Sequence, residues 1–320
     1  MISIKGTREK GWIEFKYRAT GDPIRFPVGT ITGVNDGPTL LVLGGMHGSE
    51  FAGIEAAIRL YNEVDPRKLS GVLKIGMIYN VPAFVNNLGF VVPHDGKNPM
   101  STFPGSPIGT YGEAMAYYFD QAVLSQTDYF VELHGGDIPE ALTPFVIHEY
   151  TGDAQTDEKS KKMAEVYNIP LMISATMSAD KPPKYAFGTA ARRGKPAILA
   201  ESGQQGILKT EEVETHLIGL RNILVHLGMI QGTIVNTVRR KHLENYTAVR
   251  SEHTGMWYPY IKLNQRVKKD EVVGQLRDYF GDPIADVKAQ LDGIVTVIRT
   301  SPAVGVGTVL FEHGFVASED

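Results

Sequence analysis

The chain has 320 residues, of which 42% are hydrophobic and 21% charged, as is usual for a folded protein with one large and one smaller domain. Its 32 Lys and Arg residues against 36 Asp and Glu give a net charge of −4, and no basic tract is present. This composition argues against binding to nucleic acid or to a membrane surface. The chain contains no cysteine, which excludes disulfides and leaves His, Asp and Glu as metal ligands. Neither a signal-peptide core nor a bilayer-length apolar run is present, so we expect a cytoplasmic protein.

The first predicted elements lead to a junction between a strand and a helix. Residues 1–37 read as short strands, and Leu40–Leu43 is an apolar run typical of a strand buried on both faces. Two glycines follow, and apolar residues then recur at helical spacing from Phe51 onward. His47 and Glu50 lie between, at a spacing that can direct an imidazole and a carboxylate toward one metal ion. A capped helix start beside an incidental histidine is the alternative interpretation.

Strands and helices alternate through the middle of the chain. Four strands are predicted, at residues 71–79, 129–133, 171–174 and 194–201, and three helices at 113–124, 157–167 and 211–227. This alternation predicts an α/β fold with a largely parallel sheet and helices on both faces. Residues 80–112 are rich in Pro and Gly and lack periodicity, which indicates a long loop of the kind that binds ligands.

The pattern changes near residue 240. From there to residue 320, short strand-like segments are separated by turn glycines, as in Gly293-Ile-Val-Thr-Val-Ile. The order of these segments resembles the barrel-sandwich hybrid module of biotinyl and lipoyl domains, but the lysine at a turn tip that a carrier domain needs is missing. We therefore expect a catalytic domain at 1–240 and an all-β domain at 241–320.

Polar side chains follow or end three of the predicted strands. His47, His134 and Glu201 each have this position, and ligands bind at the carboxyl ends of strands in parallel sheets. Two histidines and a carboxylate, here Glu50, are a standard zinc ligand set for hydrolysis, with a fourth position left for water. Such a site needs a separate base, and Glu201 is the candidate.

Four segments in order carry a resemblance to a known family. They are Gly-Gly-Met-His-Gly-Ser-Glu at 44–50, Glu-Leu-His-Gly-Gly at 132–136, Lys-Pro-Ala-Ile-Leu-Ala-Glu-Ser-Gly at 195–203, and the β-rich tail. Together they resemble the succinylglutamate desuccinylase/aspartoacylase family of zinc deacylases over almost the whole chain. The resemblance implies a carboxypeptidase-like fold with a mixed, largely parallel sheet, and hydrolysis of a small N-acyl amide. It also implies one Zn²⁺ per subunit on His47, Glu50 and His134, with Glu201 as general base, and it allows a homo-oligomer.

The long loop departs from the family's pattern. Asn87 and Gly89 stand where arginines are expected, and Met100 and Ser101 replace an Asn-Arg pair. In the family these groups clamp a substrate carboxylate and help to stabilise the tetrahedral oxyanion, and uncharged side chains do not replace a guanidinium. We therefore expect the substrate to differ from an N-acyl-aspartate or N-acyl-glutamate.

Five polar residues remain as candidates for substrate binding, although solvated loop charges are the alternative for the arginines: Asn80, Asn87, Asn98, Arg192 and Arg193. Glu132 is expected to orient His134 through a hydrogen bond. Two other functions compete with a deacylase. A metallocarboxypeptidase is disfavoured by the missing carboxylate-binding arginines, and a non-catalytic binding protein is disfavoured by the complete set of metal ligands and base.

Overall fold

A computed structural model describes residues 4–176 and 185–319. Within these ranges it contains six α-helices and seventeen strands. The helices are α1 (Phe51–Glu63), α2 (Val81–Val85), α3 (Tyr111–Ala122), α4 (Ala154–Val166), α5 (Ala186–Arg192) and α6 (Thr210–His226). The strands up to residue 201 are β1 (Thr7–Lys16), β2 (Pro23–Thr32), β3 (Asn35–Leu43), β4 (Ser70–Gly76), β5 (Tyr129–His134), β6 (Glu140–Leu142), β7 (Phe145–Tyr150), β8 (Leu171–Thr176) and β9 (Ala197–Glu201). The later strands are β10 (Lys241–Arg250), β11 (Gly255–Pro259), β12 (Arg266–Val267), β13 (Val272–Arg277), β14 (Pro283–Lys288), β15 (Gly293–Arg299), β16 (Ala303–Val304) and β17 (Val309–Glu319).

The central sheet is mixed, with the order β1-β2-β4-β3-β5-β9-β7-β8. Strands β4, β3, β5 and β9 run parallel to one another, β7 is antiparallel to β9, and β8 is parallel to β7. Apolar residues of α1, α4 and α6 pack on one face of the sheet, and those of α3 and α5 pack on the other. The expected α/β architecture with helices on both faces is therefore confirmed.

The three predicted helices are present with ends shifted by a few residues. Helix α3 begins after Thr110, whose backbone N–H donates a hydrogen bond to the Glu113 carboxylate at 2.8 Å. Asp153 caps α4 by accepting a hydrogen bond from the N–H of Thr156. Helices α2 and α5 were not predicted, because each spans only one or two turns and shows too little periodicity.

Residues 241–319 are all-β, as expected, and they extend the central sheet. Strand β10 pairs in parallel with β8, and β17, β15 and β12 follow beyond it. Strand β6, from the earlier part of the chain, pairs with β15. A second sheet, β14-β13-β11-β16, covers a core around the buried Trp257. Backbone hydrogen bonds thus cross the boundary expected at residue 240, and the division into two domains stays a prediction.

None of the helices in the described ranges combines the length and the apolar character needed to cross a membrane.

Candidate metal centre

A tight loop between β3 and α1 brings His47 to the carboxyl edge of the sheet. Gly45 has a φ of 67°, a left-handed conformation that favours glycine. Gly48 packs against α2 so closely that an added Cβ would lie 2.4 Å from the backbone nitrogen of Phe84. The two glycines therefore let the loop turn sharply beside α2 and direct its polar side chains inward.

Two imidazoles converge on one carboxylate in this loop. Nδ1 of His47 lies 2.6 Å from Oε1 of Glu50, and Nδ1 of His134, at the end of β5, lies 2.9 Å from Oε2. All three residues are buried, and one ligand atom from each lies within 4.8 Å of the others. Sequence reasoning predicted this set, and the fold brings it together.

The partners of the outer ring nitrogens orient both histidines. Nε2 of His47 lies 3.2 Å from the amide oxygen of Asn98, and Nε2 of His134 lies 3.2 Å from a carboxylate oxygen of Glu132. Both partners accept hydrogen bonds, so each Nε2 carries a proton and each ring directs Nδ1 toward Glu50. Loss of the Nδ1 proton would leave the tautomer that a metal-binding histidine needs.

The inward-facing atoms fit a cation. Two lone pairs and a carboxylate at 2.6–2.9 Å repel one another unless a proton or a metal ion lies between them. A tetrahedral zinc ion with bonds of about 2.0 Å holds its ligand atoms about 3.3 Å apart. Small side-chain shifts would therefore admit the ion, and the donor set of two nitrogens and one oxygen suits zinc.

The ionisation equilibria of the three residues are coupled in the same sense. Burial by itself would raise the pKa of Glu50. The combined effect of His47 and His134 is larger and lowers this pKa to about 2. Burial lowers the pKa of both histidines, yet Glu50 more than offsets this effect, so that the pKa of His47 is raised and that of His134 is raised well above its usual value. The Glu50 carboxylate therefore stabilises the protonated, positively charged form of both imidazoles. A divalent cation can take the place of those protons.

The alternative of a simple helix cap does not describe Glu50. The residue stands at the N-cap position of α1, but its carboxylate turns toward the two imidazoles rather than toward the helix's first N–H groups. The spacing of His47 and Glu50 therefore brings their side chains into one cluster with His134.

Glu201 ends β9 directly beside His134, with which it is in register in the parallel pair β5–β9. Its Oε2 atom is buried and has no hydrogen-bond partner among the described residues. Burial raises the pKa of Glu201 well above its usual value, and the nearby carboxylates of Glu50, Glu140 and Glu312 add to this rise against the opposing effect of His134. A carboxylate with a raised pKa is a better proton acceptor, as a general base requires.

His216 fixes the two strand ends that carry these residues. From α6, its Nε2 donates to the backbone oxygens of His134 and Ser202, at 2.9 and 3.2 Å, while Nδ1 accepts from the hydroxyl of Tyr167. Sequence reasoning gave His216 no role, because its partners lie far away in the chain. It is a positioning residue.

We expect His216→Gln to lower the free energy of unfolding by about 2 kcal/mol, since buried carbonyls lose their donor. Burial lowers the pKa of His216 to about 4, so the unfolded chain takes up a proton that the folded chain refuses as the pH falls from 6.5 toward 4. The native imidazole thus adds stability above pH 6.5 and loses this contribution below it. Urea unfolding between pH 4 and 7 should show a weaker pH dependence in the variant, and an unchanged slope would contradict this assignment. His94→Gln, at an exposed position, is the control.

A cavity of about 850 Å³ opens over the metal centre. Its walls come from both parts of the chain: the long loop contributes Phe90 and Asn98, and β10, β15 and β17 contribute residues between 246 and 312. Charged residues that sequence reasoning missed line the cavity: Glu140, Glu149, Arg250, Arg299 and Glu312. No local motif marks them, because the pairing of distant strands brings them together.

The fold places the five candidate substrate-binding residues in different surroundings. Asn98 lines the cavity and contacts His47. Asn80 is buried and caps α2, and Asn87 is exposed on the long loop. Arg193 forms an ion pair with Asp120, and Arg192 lies at the end of α5, where its charge lowers the pKa of Glu149 against the larger effect of burial. Of the five, Asn98 has the position that substrate binding requires, and the predicted role of the others stays untested.

An aspartate closes the loop position Gly89, where the resemblance predicts an arginine. An added Cβ at Gly89 would lie 2.3 Å from a carboxylate oxygen of Asp137. Asp137 accepts hydrogen bonds from the N–H of Phe90, at 2.8 Å, and from the hydroxyl of Ser49. The carboxylate of Asp137 therefore ties the long loop to the residues of the candidate metal centre.

Two histidines, a carboxylate and a candidate base thus lie together at strand ends of a mixed sheet. A family model described as the succinylglutamate desuccinylase/aspartoacylase catalytic domain matches residues 36–227. The chain belongs to this family, which confirms the resemblance seen in the sequence.

Known proteins extend this likeness over nearly the whole chain. N-alpha-acetyl-L-2,4-diaminobutyric acid deacetylase from Halomonas elongata is 29% identical over 294 residues, which cover 90% of this chain and 84% of that protein. The product-bound ectoine utilization protein EutE (DoeB) from Ruegeria pomeroyi has a TM-score of 0.86 at 24% identity, over 96% and 95% of the two chains. A succinylglutamate desuccinylase/aspartoacylase from Rhodobacter sphaeroides has a TM-score of 0.84 at 23% identity, over 97% and 96%. The two structures confirm the predicted fold.

Proposed function

We propose that the protein is a zinc-dependent deacylase that hydrolyses the amide bond of a small N-acyl compound. The observation that carries this proposal is the convergence of His47, Glu50 and His134 beside Glu201, in a cluster that contributes to the cavity lining. Membership of a family named for deacylases supports N-acyl amide hydrolysis, and the deacetylase from Halomonas elongata supports it further.

His47, Glu50 and His134 would hold the zinc ion, which supplies polarisation of the acyl carbonyl and a lowered pKa for water. Glu201 takes the proton of the attacking water on a carboxylate oxygen. The same oxygen then gives this proton to the leaving nitrogen as the C–N bond breaks. Water thus adds across the amide bond, and a carboxylic acid and an amine leave the site.

Two features support the proposal that the substrate is not a standard N-acyl-aspartate or N-acyl-glutamate. The loop positions where the family has arginines hold Asn87 and Gly89, and Asp137 faces the second of them. A substrate carboxylate at that place would meet a carboxylate instead of a guanidinium. The cytoplasmic location and the oligomeric state remain predictions.

The test is an assay of the purified, zinc-loaded protein on a panel of N-acetyl and N-succinyl amino acids. We expect amine release from some members, loss of activity after treatment with a chelator, and recovery on addition of Zn²⁺. Absence of hydrolysis across the panel, together with no thermal stabilisation by Zn²⁺, would exclude the proposed function. N-Acetylaspartate as the best substrate would exclude the proposed selectivity.

A further inference from the structure

The cavity wall beyond the metal centre is acidic. Glu140, Glu149 and Glu312 line it, and we call these three residues the acidic wall. Among the described lining residues, Arg250 and Arg299 are the cationic side chains with a permanent charge. The three carboxyl groups of the acidic wall outnumber the two guanidinium groups, so the wall is suited to a positively charged ligand group.

Strand pairing between distant parts of the chain builds this wall. Glu140 on β6 is opposite Arg299 on β15, and Val297, two residues earlier on β15, is opposite both Leu142 and Glu312. Residues two apart on a strand share a face of the sheet. All five residues line the cavity, so Glu140 and Glu312 project from the same face although 172 positions separate them in the sequence.

Glu149 is a buried member of the acidic wall with an unpartnered carboxylate oxygen. On β7 it follows Phe145 and Ile147 at alternate positions, and all three line the cavity. Its exposed fraction is 9%, and its buried Oε2 atom has no hydrogen-bond partner among the described residues. A buried carboxylate oxygen without a donor is costly, and a donor on a bound ligand would satisfy it.

The other two carboxyl groups keep acceptor capacity for a ligand. The hydroxyl of Tyr246 donates to Oε2 of Glu312 at 2.5 Å, so the second oxygen is left for another donor. Arg299, the cross-strand neighbour of Glu140, donates through Nε to the backbone oxygen of Ala303 at 3.3 Å. These hydrogen bonds therefore hold the acidic wall in place without neutralising all of its carboxylate charge.

The titration behaviour agrees with this geometry. Burial raises the pKa of Glu140 to about 8, with a further contribution from Glu312, and burial raises the pKa of Glu149 to about 7. Burial also raises the pKa of Glu312. Carboxylates that are destabilised by burial and by one another are stabilised when a cation binds between them.

We propose that Glu140, Glu149 and Glu312 form a subsite for a protonated amino group of the substrate. The inference rests on the proposed deacylase function and names its substrate class, N-acyl compounds with a second, free amino group. The relative from Halomonas elongata is named for a substrate of this chemistry.

The experiment compares three acetylated substrates that differ in side-chain charge. In Nα-acetyl-2,4-diaminobutyrate the side chain ends in an ammonium group, in N-acetylnorvaline a methyl group replaces it, and in N-acetylglutamate the end is a carboxylate. We expect kcat/KM to fall in this order, with a gap of about 10- to 100-fold between the first two, as expected for hydrogen bonds to a charged group.

Glu140→Gln and Glu312→Gln should each reduce the advantage of the cationic substrate about tenfold. Both carboxylates also raise the pKa of Glu201, so the readout is the ratio of kcat/KM for the cationic substrate to kcat/KM for N-acetylnorvaline. Glu244→Gln, at an exposed position on β10, is the matched control and should alter neither value. Equal losses on both substrates would assign the two residues to general activity and overturn the subsite.

Equilibrium binding separates this inference from the proposed function. Calorimetry on the zinc-loaded protein should give a dissociation constant for 2,4-diaminobutyrate that is at least about tenfold lower than that for norvaline. Equal affinities, or a preference for N-acetylglutamate in the assay, would overturn the subsite even if hydrolysis is confirmed. If none of the three acetyl compounds is hydrolysed, deacylation of this substrate class fails, and the binding comparison still decides the subsite. If both variants fail to fold, the binding comparison on the unmodified protein still tests the subsite.

Discussion

Glu201→Gln is expected to lower kcat by about 100- to 10,000-fold, the usual contribution of a positioned general base and acid. The amide side chain keeps the size of the carboxyl group but cannot take a proton from water at neutral pH. His47, Glu50 and His134 are unchanged, so zinc content measured by mass spectrometry should stay at one ion per chain.

The stability of this variant adds a second measurement. Burial and three neighbouring carboxylates disfavour the charged form of Glu201. A neutral glutamine removes that cost, so the melting temperature should be equal to or higher than that of the unmodified protein. Glu211→Gln, at the exposed start of α6, should leave both kcat and zinc content unchanged. Full activity in Glu201→Gln would refute the assignment of the base.

His134→Ala is expected to abolish tight zinc binding and to reduce kcat/KM at least about 1,000-fold, since a catalytic metal contributes several kcal/mol and each 1.36 kcal/mol is tenfold in rate. The substitution also leaves the buried carboxylates of Glu50 and Glu132 without a shared partner. We therefore expect a loss of about 3–5 kcal/mol in the free energy of unfolding, as when one member of a buried ion pair is removed.

His148→Ala is the matched control for this prediction. His148 is also fully buried on the sheet, but its Nε2 contacts the hydroxyl of Ser174, and it lies outside the cavity lining. The control should lose stability while keeping zinc. Stoichiometric zinc of unchanged affinity in His134→Ala would contradict the ligand assignment.

The clustering of the candidate metal ligands could be predicted from the sequence because its signals are local. His47 and Glu50 lie in one strand-to-helix junction, and His134 and Glu201 end apolar runs whose strands prove to be neighbours. The position of a residue at the carboxyl end of a buried strand is encoded within a few positions of it. The rule that such ends meet at one edge of a parallel sheet then brings the residues together.

The wall of the cavity could not be predicted in this way. Glu140 and Glu312 face the cavity because β6 pairs with β15 and β15 pairs with β17, and the register of those pairs depends on contacts across more than half of the chain. Likewise, Asn98 reaches His47 from a loop without periodicity, and His216 reaches two strand ends from a distant helix. Long-range pairing therefore builds the wall of the cavity, while local pattern marks the candidate metal ligands and base.

The continuity of the sheet across residue 240 couples the stability of the two parts of the chain. Strand β17 ends at Glu319 and pairs with both β10 and β15. Strand β10 in turn pairs in parallel with β8, beside the buried side chains of Leu171 and Ile173. Separation of the two parts would therefore expose the backbone edge of β8 together with its apolar neighbours.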